Sequence, residues 1–423
     1  MKIYDTEEKI QQFLLVGVDT SHAQISMEAS LDELEELLTT AGARSVGRVI
    51  QNLPEINHRT YIGTGKMEEI KTLLSDTGAD GIICDDELTP AQLRNLSEYL
   101  ECKVIDRTLL ILDIFTQRAH TREGKLQVEL AQLTYRLTRL TGLGTELSRQ
   151  GAAVGTHTRG AGETKLEMDR RHIRERIDQL KSELMEVSAR RDMERSKRKK
   201  GAYPIVALVG YTNAGKSTLF NSLTGSHVLE EDKLFATLDT TVRKAVLNSG
   251  RTVLYVDTVG FIHKLPHQLV NAFRSTLEEA AEADVLLHVV DRSDPKAAMQ
   301  MKVTYDELVD LGAADVPILT IWNKQDLVKE ETPLAVPYKT EGILKISALE
   351  ADAADQVSAM VDELLNQQDQ EFHLLLPYPQ SSLIEPIHRD GIVLQEEYTP
   401  EGISLIIRAK GKLAALVKPF ERN

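Results

Sequence analysis

Residues 210–217 read Gly210-Tyr211-Thr212-Asn213-Ala214-Gly215-Lys216-Ser217 and follow directly on the apolar run IVALV. Few features constrain a fold more than G-x-x-x-x-G-K-S in that position. The pattern needs a buried strand to deliver the loop, glycines that let backbone N–H groups wrap phosphates, and a helix whose N-terminus faces the same anion. In that arrangement Lys216 neutralises the β and γ oxygens, and Ser217 offers a hydroxyl to Mg²⁺. The helical stretch 217–223 follows at once. A strand–loop–helix unit of this kind belongs in a doubly wound, mainly parallel α/β sheet. Apolar strand candidates at 252–256, 285–290, 318–322 and 344–346, mostly separated by helical patterns, fit that sheet.

Three short strings end three of these strands. Asp257-Thr258-Val259-Gly260 follows TVLYV, where a carboxylate reaches Mg²⁺ through water and the Gly260 N–H meets a γ-phosphate. Asn323-Lys324-Gln325-Asp326 follows ILTIW. The Asp326 carboxylate accepts from guanine N1–H and the 2-amino group. Adenine has an acceptor at N1 and no 2-amino group, so it leaves that carboxylate unpaired and is rejected. Ser347-Ala348-Leu349, after LKI, fits a loop that covers the base. Each string is weak alone, but their order and placement specify a GTPase. Phe235-Ala236-Thr237-Leu238-Asp239-Thr240-Thr241 lies where a first switch belongs. Its residues leave Thr237, Thr240 and Thr241 all open as a second Mg²⁺ hydroxyl.

The whole chain has 423 residues, enough for two to four domains. Hydrophobic residues make up 42% and charged residues 27%, which excludes wholesale disorder. No apolar run is long enough to span a membrane, and the start MKIYDTEEKIQQ carries no secretory pattern. Cys84 and Cys102 are too few for a disulfide framework or a four-cysteine metal site. A soluble, cytoplasmic protein is the expectation.

The net charge of −15 argues against indiscriminate nucleic-acid binding and against DNA as a partner, yet it hides an asymmetry. Between Arg118 and Lys200, basic residues outnumber acidic ones by 8, whereas the remainder carries an acidic excess of 23. Within that basic stretch, Leu126, Leu130, Leu133, Leu137 and Leu140 form one apolar seam, and Ile173, Ile177, Leu180, Leu184 and Val187 form another. Two seams of this spacing predict an antiparallel helical hairpin. Six glycines lie in 142–165, with Arg149, Arg159 and Lys165. At roughly 1 kcal/mol each, they predict a break in the helix and a mobile, basic tip that folds against phosphate-rich surfaces.

Four parts are therefore expected: an N-terminal α/β domain at 1–122, the helical hairpin at 123–200, the P-loop domain at 201–370 and a small α+β element at 371–423. In the first, strands at 13–18, 45–51, 81–85 and 103–105 alternate with helices at 30–41, 66–77 and 90–99. The turn Gly63-Thr64-Gly65-Lys66 lacks P-loop spacing and reads as a plain structural turn. In the last part, strands at 391–395 and 404–407 precede a helix near 410–417.

The stretches 210–218 (ending in Thr218), 235–239, 257–262 and 323–326 resemble the guanine-nucleotide motifs of the HflX family of translation-associated GTPases. Arg159-Gly160-Ala161-Gly162-Glu163-Thr164-Lys165-Leu166-Glu167 resembles that family's signature at the base of its hairpin. The resemblance implies a GTPase that binds the large ribosomal subunit and dissociates stalled or idle ribosomes under stress. It implies rRNA contacts through the 142–165 tip and the N-terminal domain, and GTP and GDP as substrate and product. It also implies Ser217 and Thr237 as Mg²⁺ ligands, with Lys216, Thr237 and Gly260 as catalytic groups. Thr240 departs from the family, which often has proline there. Asn213 resembles the asparagine of potassium-stimulated GTPases and so suggests K⁺. No convincing ATP motif is visible in the N-terminal part. A monomer is expected, and loose membrane association stays compatible with the sequence. A GTP-dependent assembly factor for the large subunit, or a regulatory binding module, is the alternative.

Phe261 stands where many GTPases carry a glutamine that orients the attacking water. Phenylalanine offers no hydrogen bond, so slow intrinsic hydrolysis is expected, raised when a ribosome orders the switches.

Overall fold

A computed structural model describes residues 10–20, 25–151, 161–200, 203–226, 234–238, 240–266, 279–328, 340–368, 370–409 and 411–422. The chain forms two compact units. The first comprises 1–187 together with two later segments, 231–239 and 262–274; the second comprises 188–230, 240–261 and 275–423.

In the first unit, β1 (Gln12–Asp19), β2 (Arg44–Asn52), β3 (Gly81–Cys84) and β4 (Lys103–Asp106) form a parallel sheet in the order β2-β1-β3-β4. Both faces of β1 are buried, which is why its sequence is continuously apolar. Leu14, Val16 and Val18 share a core with Met67 and Ile70 of helix α2 (Thr64–Thr77) and Leu96 of α3 (Pro90–Leu100). Helix α1 (Met27–Thr40) packs on β1 and β2, and also against α4 (Arg107–Arg118). The expected strands and helices of this part all occur, with ends moved by at most three residues. The sequence reading lacked α4. The turn at Gly63 starts α2 without a side-chain cap, and Lys66 is paired with Glu69 at 2.7 Å.

The hairpin needs one correction. Helix α5 runs Arg122–Gly151 and α6 runs Ala161–Lys200, so helix persists through Gly142 and Gly144. Leu143, Glu146, Leu147, Arg149 and Gln150 are strong helix formers, and their summed preference offsets the glycine penalties. Of the expected tip, residues 152–160 lie outside the described residues, as do Arg159 and Gly160 of the signature. Arg176 of α6 pairs with Glu129 of α5 at 2.8 Å, as antiparallel helices allow. Helix α5 also has a second buried face, Val128, Ala131 and Tyr135, turned toward α3 and α4.

In the second unit, six strands lie in the order β10-β9-β8-β5-β7-β6. They are β5 (Ile205–Gly210), β6 (Thr241–Val246), β7 (Thr252–Asp257), β8 (Val285–Asp291), β9 (Ile318–Asn323) and β10 (Gly342–Lys345). All pairs are parallel except β6 with β7, so one antiparallel edge strand, absent from the sequence reading, completes the sheet. Strand β10 covers 342–345 rather than 344–346. A separate antiparallel sheet, β11-β13-β12, is built from β11 (Gln370–Leu376), β12 (Ile392–Thr399) and β13 (Gly402–Ala409), with a helix at Gly411–Val417 on its core. Strand β11 was also missed. Among the described residues, no helix is long and apolar enough to cross a membrane.

Candidate functional site

Strand β5 lies between β8 and β7, where the order of the parallel sheet reverses, and its carboxyl end is the place such sheets bind ligands. The loop that follows is tight. Gly210 has φ +150° and a Cβ there would stand 2.2 Å from the Val289 carbonyl oxygen. Gly215 has φ +92° and its Cβ would meet Asn323 Nδ2 at 2.2 Å. Asn213 adopts φ +60°, a left-handed conformation that asparagine tolerates. Helix α7 (Lys216–Thr224) begins at the end of this loop, so its free N–H groups face the phosphate site, and Thr218 lies in its first turn.

Lys216 is buried, and its Nζ donates to the Tyr211 carbonyl at 2.7 Å. Burial pushes its ammonium down to about 8, against the pull of the Asp257 carboxylate. The Ser217 hydroxyl donates to Asp257 Oδ2 at 3.0 Å. These are hard oxygen donors on one spot, the set Mg²⁺ takes when phosphates and water complete its shell. Among the described residues, no group of three or more His, Cys, Asp or Glu could hold a metal by itself.

Asp257 ends β7 and is fully buried; Thr258 is fastened by its hydroxyl to the Leu208 carbonyl at 2.6 Å. Val259 is buried as well. Gly260 packs directly on the P-loop, where a Cβ would stand 2.8 Å from Thr212 Cα and 2.9 Å from Lys216 Nζ. Phe261 N–H donates to the Gly210 carbonyl at 3.1 Å, and Thr212 N–H donates to the Phe261 carbonyl at 2.9 Å. The Phe261 ring is buried, so it works as a wedge of the core beside the loop.

Asn323 holds the 323–326 turn to its neighbours. Its Nδ2 donates to the Ala214 carbonyl at 2.9 Å, and its Oδ1 accepts from the Ala348 N–H at 2.8 Å. Buried Ser347 and Ala348 are thereby fixed, while Leu349 is 80% exposed. Lys324, at φ +59°, pairs with Asp291 at 2.7 Å. Gln325 N–H donates to the Ile346 carbonyl at 3.2 Å, and Asp326 stands exposed in the turn Gln325–Leu327. Asp291 was missed by the sequence reading, although a carboxylate ending an apolar strand is the signal that identified Asp257.

The 210–218, 257–260, 323–326 and 347–349 residues thus converge in the second unit. Phe235, Ala236, Thr237 and Leu238 belong to the first unit, and Asp239 lies outside the described residues. Phe235 is buried at φ +55°, its ring meeting Phe115 edge-on with centroids 4.7 Å apart.

Three family models match the chain: "GTP-binding GTPase N-terminal" over residues 28–116, "GTP-binding GTPase Middle Region" over 118–198 and "50S ribosome-binding GTPase" over 205–324. GTPase HflX of Lacrimispora saccharolytica is 48% identical over 95% of this chain and 94% of its own. GTPase HflX of Caldanaerobacter subterraneus subsp. tengcongensis is 47% identical over 94% and 90%. A crystal structure of a GTP-binding protein from Sulfolobus solfataricus, in complex with GDP, is 27% identical, with 85% of this chain and 99% of that one covered and a TM-score of 0.44.

Proposed function

Because this chain belongs to the HflX family of GTPases, we propose that its GTP-bound form binds the large ribosomal subunit and dissociates stalled or idle ribosomes under stress, with hydrolysis resetting the factor. The observation that carries the ribosomal part is the match of residues 205–324 to a family described as ribosome-binding. The basic excess of the hairpin supports it, because neutralising rRNA phosphates gives affinity that falls with salt.

The chain's own groups account for the chemistry. The P-loop N–H groups and the start of α7 receive the phosphates, and Lys216 balances their charge. Asp326 selects guanine, and Asn323 keeps the base loop against the phosphate loop. Ser217 and Thr237 would hold Mg²⁺, with Asp257 acting through water; when bound, it draws charge from the phosphate oxygens. Gly260 brings its N–H toward the γ-phosphate. Phe261 cannot orient a water, so turnover by the free protein is slow and ribosome-dependent. Loss of the γ-phosphate then relaxes the switches and releases the factor. Asn213 would favour K⁺ stimulation, read by comparing rates in potassium and sodium buffers. The protein acts as a cytoplasmic monomer.

A sucrose-gradient profile of ribosomes with the protein and GTP tests this reading. Free subunits should accumulate, also with a nonhydrolysable analogue, and deletion of 142–165 should abolish splitting. If splitting needs hydrolysis, the resetting role is wrong. Immature large subunits in a deletion strain, with normal recycling, would favour the assembly-factor alternative.

A further inference from the structure

Two buried charge clusters in the first unit meet at one dipeptide. Asp106 ends β4 and caps α4: its Oδ1 accepts from the Leu109 N–H at 2.9 Å and from the Tyr135 hydroxyl at 2.8 Å. Its Oδ2 accepts from the Leu88 N–H at 3.0 Å and from Arg139 Nη2 at 2.6 Å. The Arg139 guanidinium lies 3.8 Å over the Tyr135 ring. Tyr135 and Arg139 belong to α5, the first helix of the hairpin.

The next residue, Arg107, serves the other cluster. It is 1% exposed, and its Nη1 donates to Asp85 Oδ1 at 2.9 Å. Its Nη2 donates to Glu33 at 2.5 Å and to the His263 carbonyl at 3.0 Å. Lys264 Nζ reaches Asp85 Oδ2 and Asp86 Oδ1, both at 2.6 Å. Asp85 also accepts from the Ser30 hydroxyl at 2.7 Å, and Asp86 from the Tyr61 hydroxyl at 2.7 Å. Lys264 sits at φ +55° and Tyr61 at φ +66°, left-handed conformations that bulky side chains keep only when surrounding contacts hold them. Burial beside Arg107 and Lys264 pushes the His263 imidazole down to about 4, so no further positive charge enters this cluster at neutral pH.

We propose that Asp106-Arg107 couples the hairpin to the segment that follows Asp257–Gly260, with Arg107 and Lys264 as positioning residues of that segment. Helix α5 holds Asp106, and residues 263–264 are held by Arg107 and its carboxylate partners. Because Asp106 caps the helix whose first residue is Arg107, a shift of α5 that disturbs Asp106 turns the Arg107 guanidinium and strips it from the His263 carbonyl. The identity of what moves the hairpin rests on the ribosomal reading above, but the coupling does not. A physical link of this kind is demonstrated only by energetic coupling between its ends.

Hydrogen exchange of the full-length protein with GDP reads it directly. Arg139→Gln should speed exchange of the 262–265 amides about tenfold, the size of an ordinary coupling, although Arg139 touches none of them. Lys264→Ala should do the same, and the double variant should be no faster than the faster single one. Exchange in β5 serves as the control for global unfolding. If Arg139→Gln misfolds, Tyr135→Phe removes one hydrogen bond and carries the same comparison. Unchanged 262–265 exchange, or effects that multiply in the double variant, overturns the coupling. In a second arm, Arg139→Gln should still co-sediment with large subunits but lose their stimulation of hydrolysis. A wild-type protein that large subunits do not stimulate sinks the ribosomal reading alone, and the exchange data still decide the coupling.

Discussion

Asn323 Nδ2 stands 2.9 Å from the Ala214 carbonyl, so the motif that ends β9 and the phosphate loop share one buried amide. The same side chain accepts from Ala348, which makes it the brace of three loops. Asn323→Ala leaves the Ala214 carbonyl and the Ala348 N–H without their buried partner. At about 1–3 kcal/mol for each unsatisfied group, affinity for both GTP and GDP should fall by about 100-fold, with guanine preference retained. Calorimetric titration with GDP and ADP checks both halves.

Asp326 should behave in the opposite way. It is exposed in its turn and braces nothing among the described residues, so its substitution should spare the fold. Asp326→Asn replaces one acceptor by an N–H donor, which suits the C2 carbonyl of xanthine rather than the amine of guanine. Preference should move from GTP to XTP by at least about tenfold, a difference of about 1.4 kcal/mol. Equal GTP affinity in the variant and the parent protein refutes the guanine assignment.

Lys216 gives a pH dependence. Its ammonium is depressed to about 8 by burial, and phosphate binding requires the protonated form. Nucleotide affinity should therefore be flat below about pH 7 and fall up to about tenfold per unit above about pH 8. The sign for folding is the reverse. The unfolded lysine keeps its proton to higher pH, so the nucleotide-free protein gains stability as pH rises from about 8 toward 10.5. Titrations in two buffers of different ionisation enthalpy detect the proton taken up on binding, and thermal melts across this range test the second statement.

The nucleotide strings were legible because each is local: a strand end, a few spaced residues, a helix start. What joins them was not. Asn323 and Ala214 are 109 residues apart, and Lys264 and Asp85 are 179 apart, separations at which no periodicity in a sequence connects two side chains. Helix α4 was hidden because Leu110, Ile111, Leu112, Ile114 and Phe115 are buried around most of its circumference, which erases the 3.6-residue stripe. Strand β6 was hidden for the opposite reason: as an edge strand it buries little and mixes Arg243 and Lys244 into its run. The six glycines of 142–165 suggest a break, yet Gly142 and Gly144 lie inside α5, among helix formers such as Leu143 and Leu147.

The role proposed for Gly260 predicts that nucleotide holding and nucleotide hydrolysis separate in a variant. A methyl group there would meet Thr212 Cα at 2.8 Å and Lys216 Nζ at 2.9 Å, and the first of these is backbone that cannot swing aside. Gly260→Ala must therefore push residues 257–261 off the loop by some tenths of an ångström. The β-phosphate contacts come from the loop and α7, so GDP affinity should change by less than about tenfold. In the role proposed for Gly260 the displaced N–H meets the γ-phosphate, and losing one preorganised donor of this kind typically costs about 10²–10³ in kcat. Single-turnover hydrolysis beside GDP titration distinguishes the two effects. A variant that hydrolyses GTP normally while Gly260 carries a side chain would mean that this segment leaves the P-loop before the chemical step, and that the water is held by other groups.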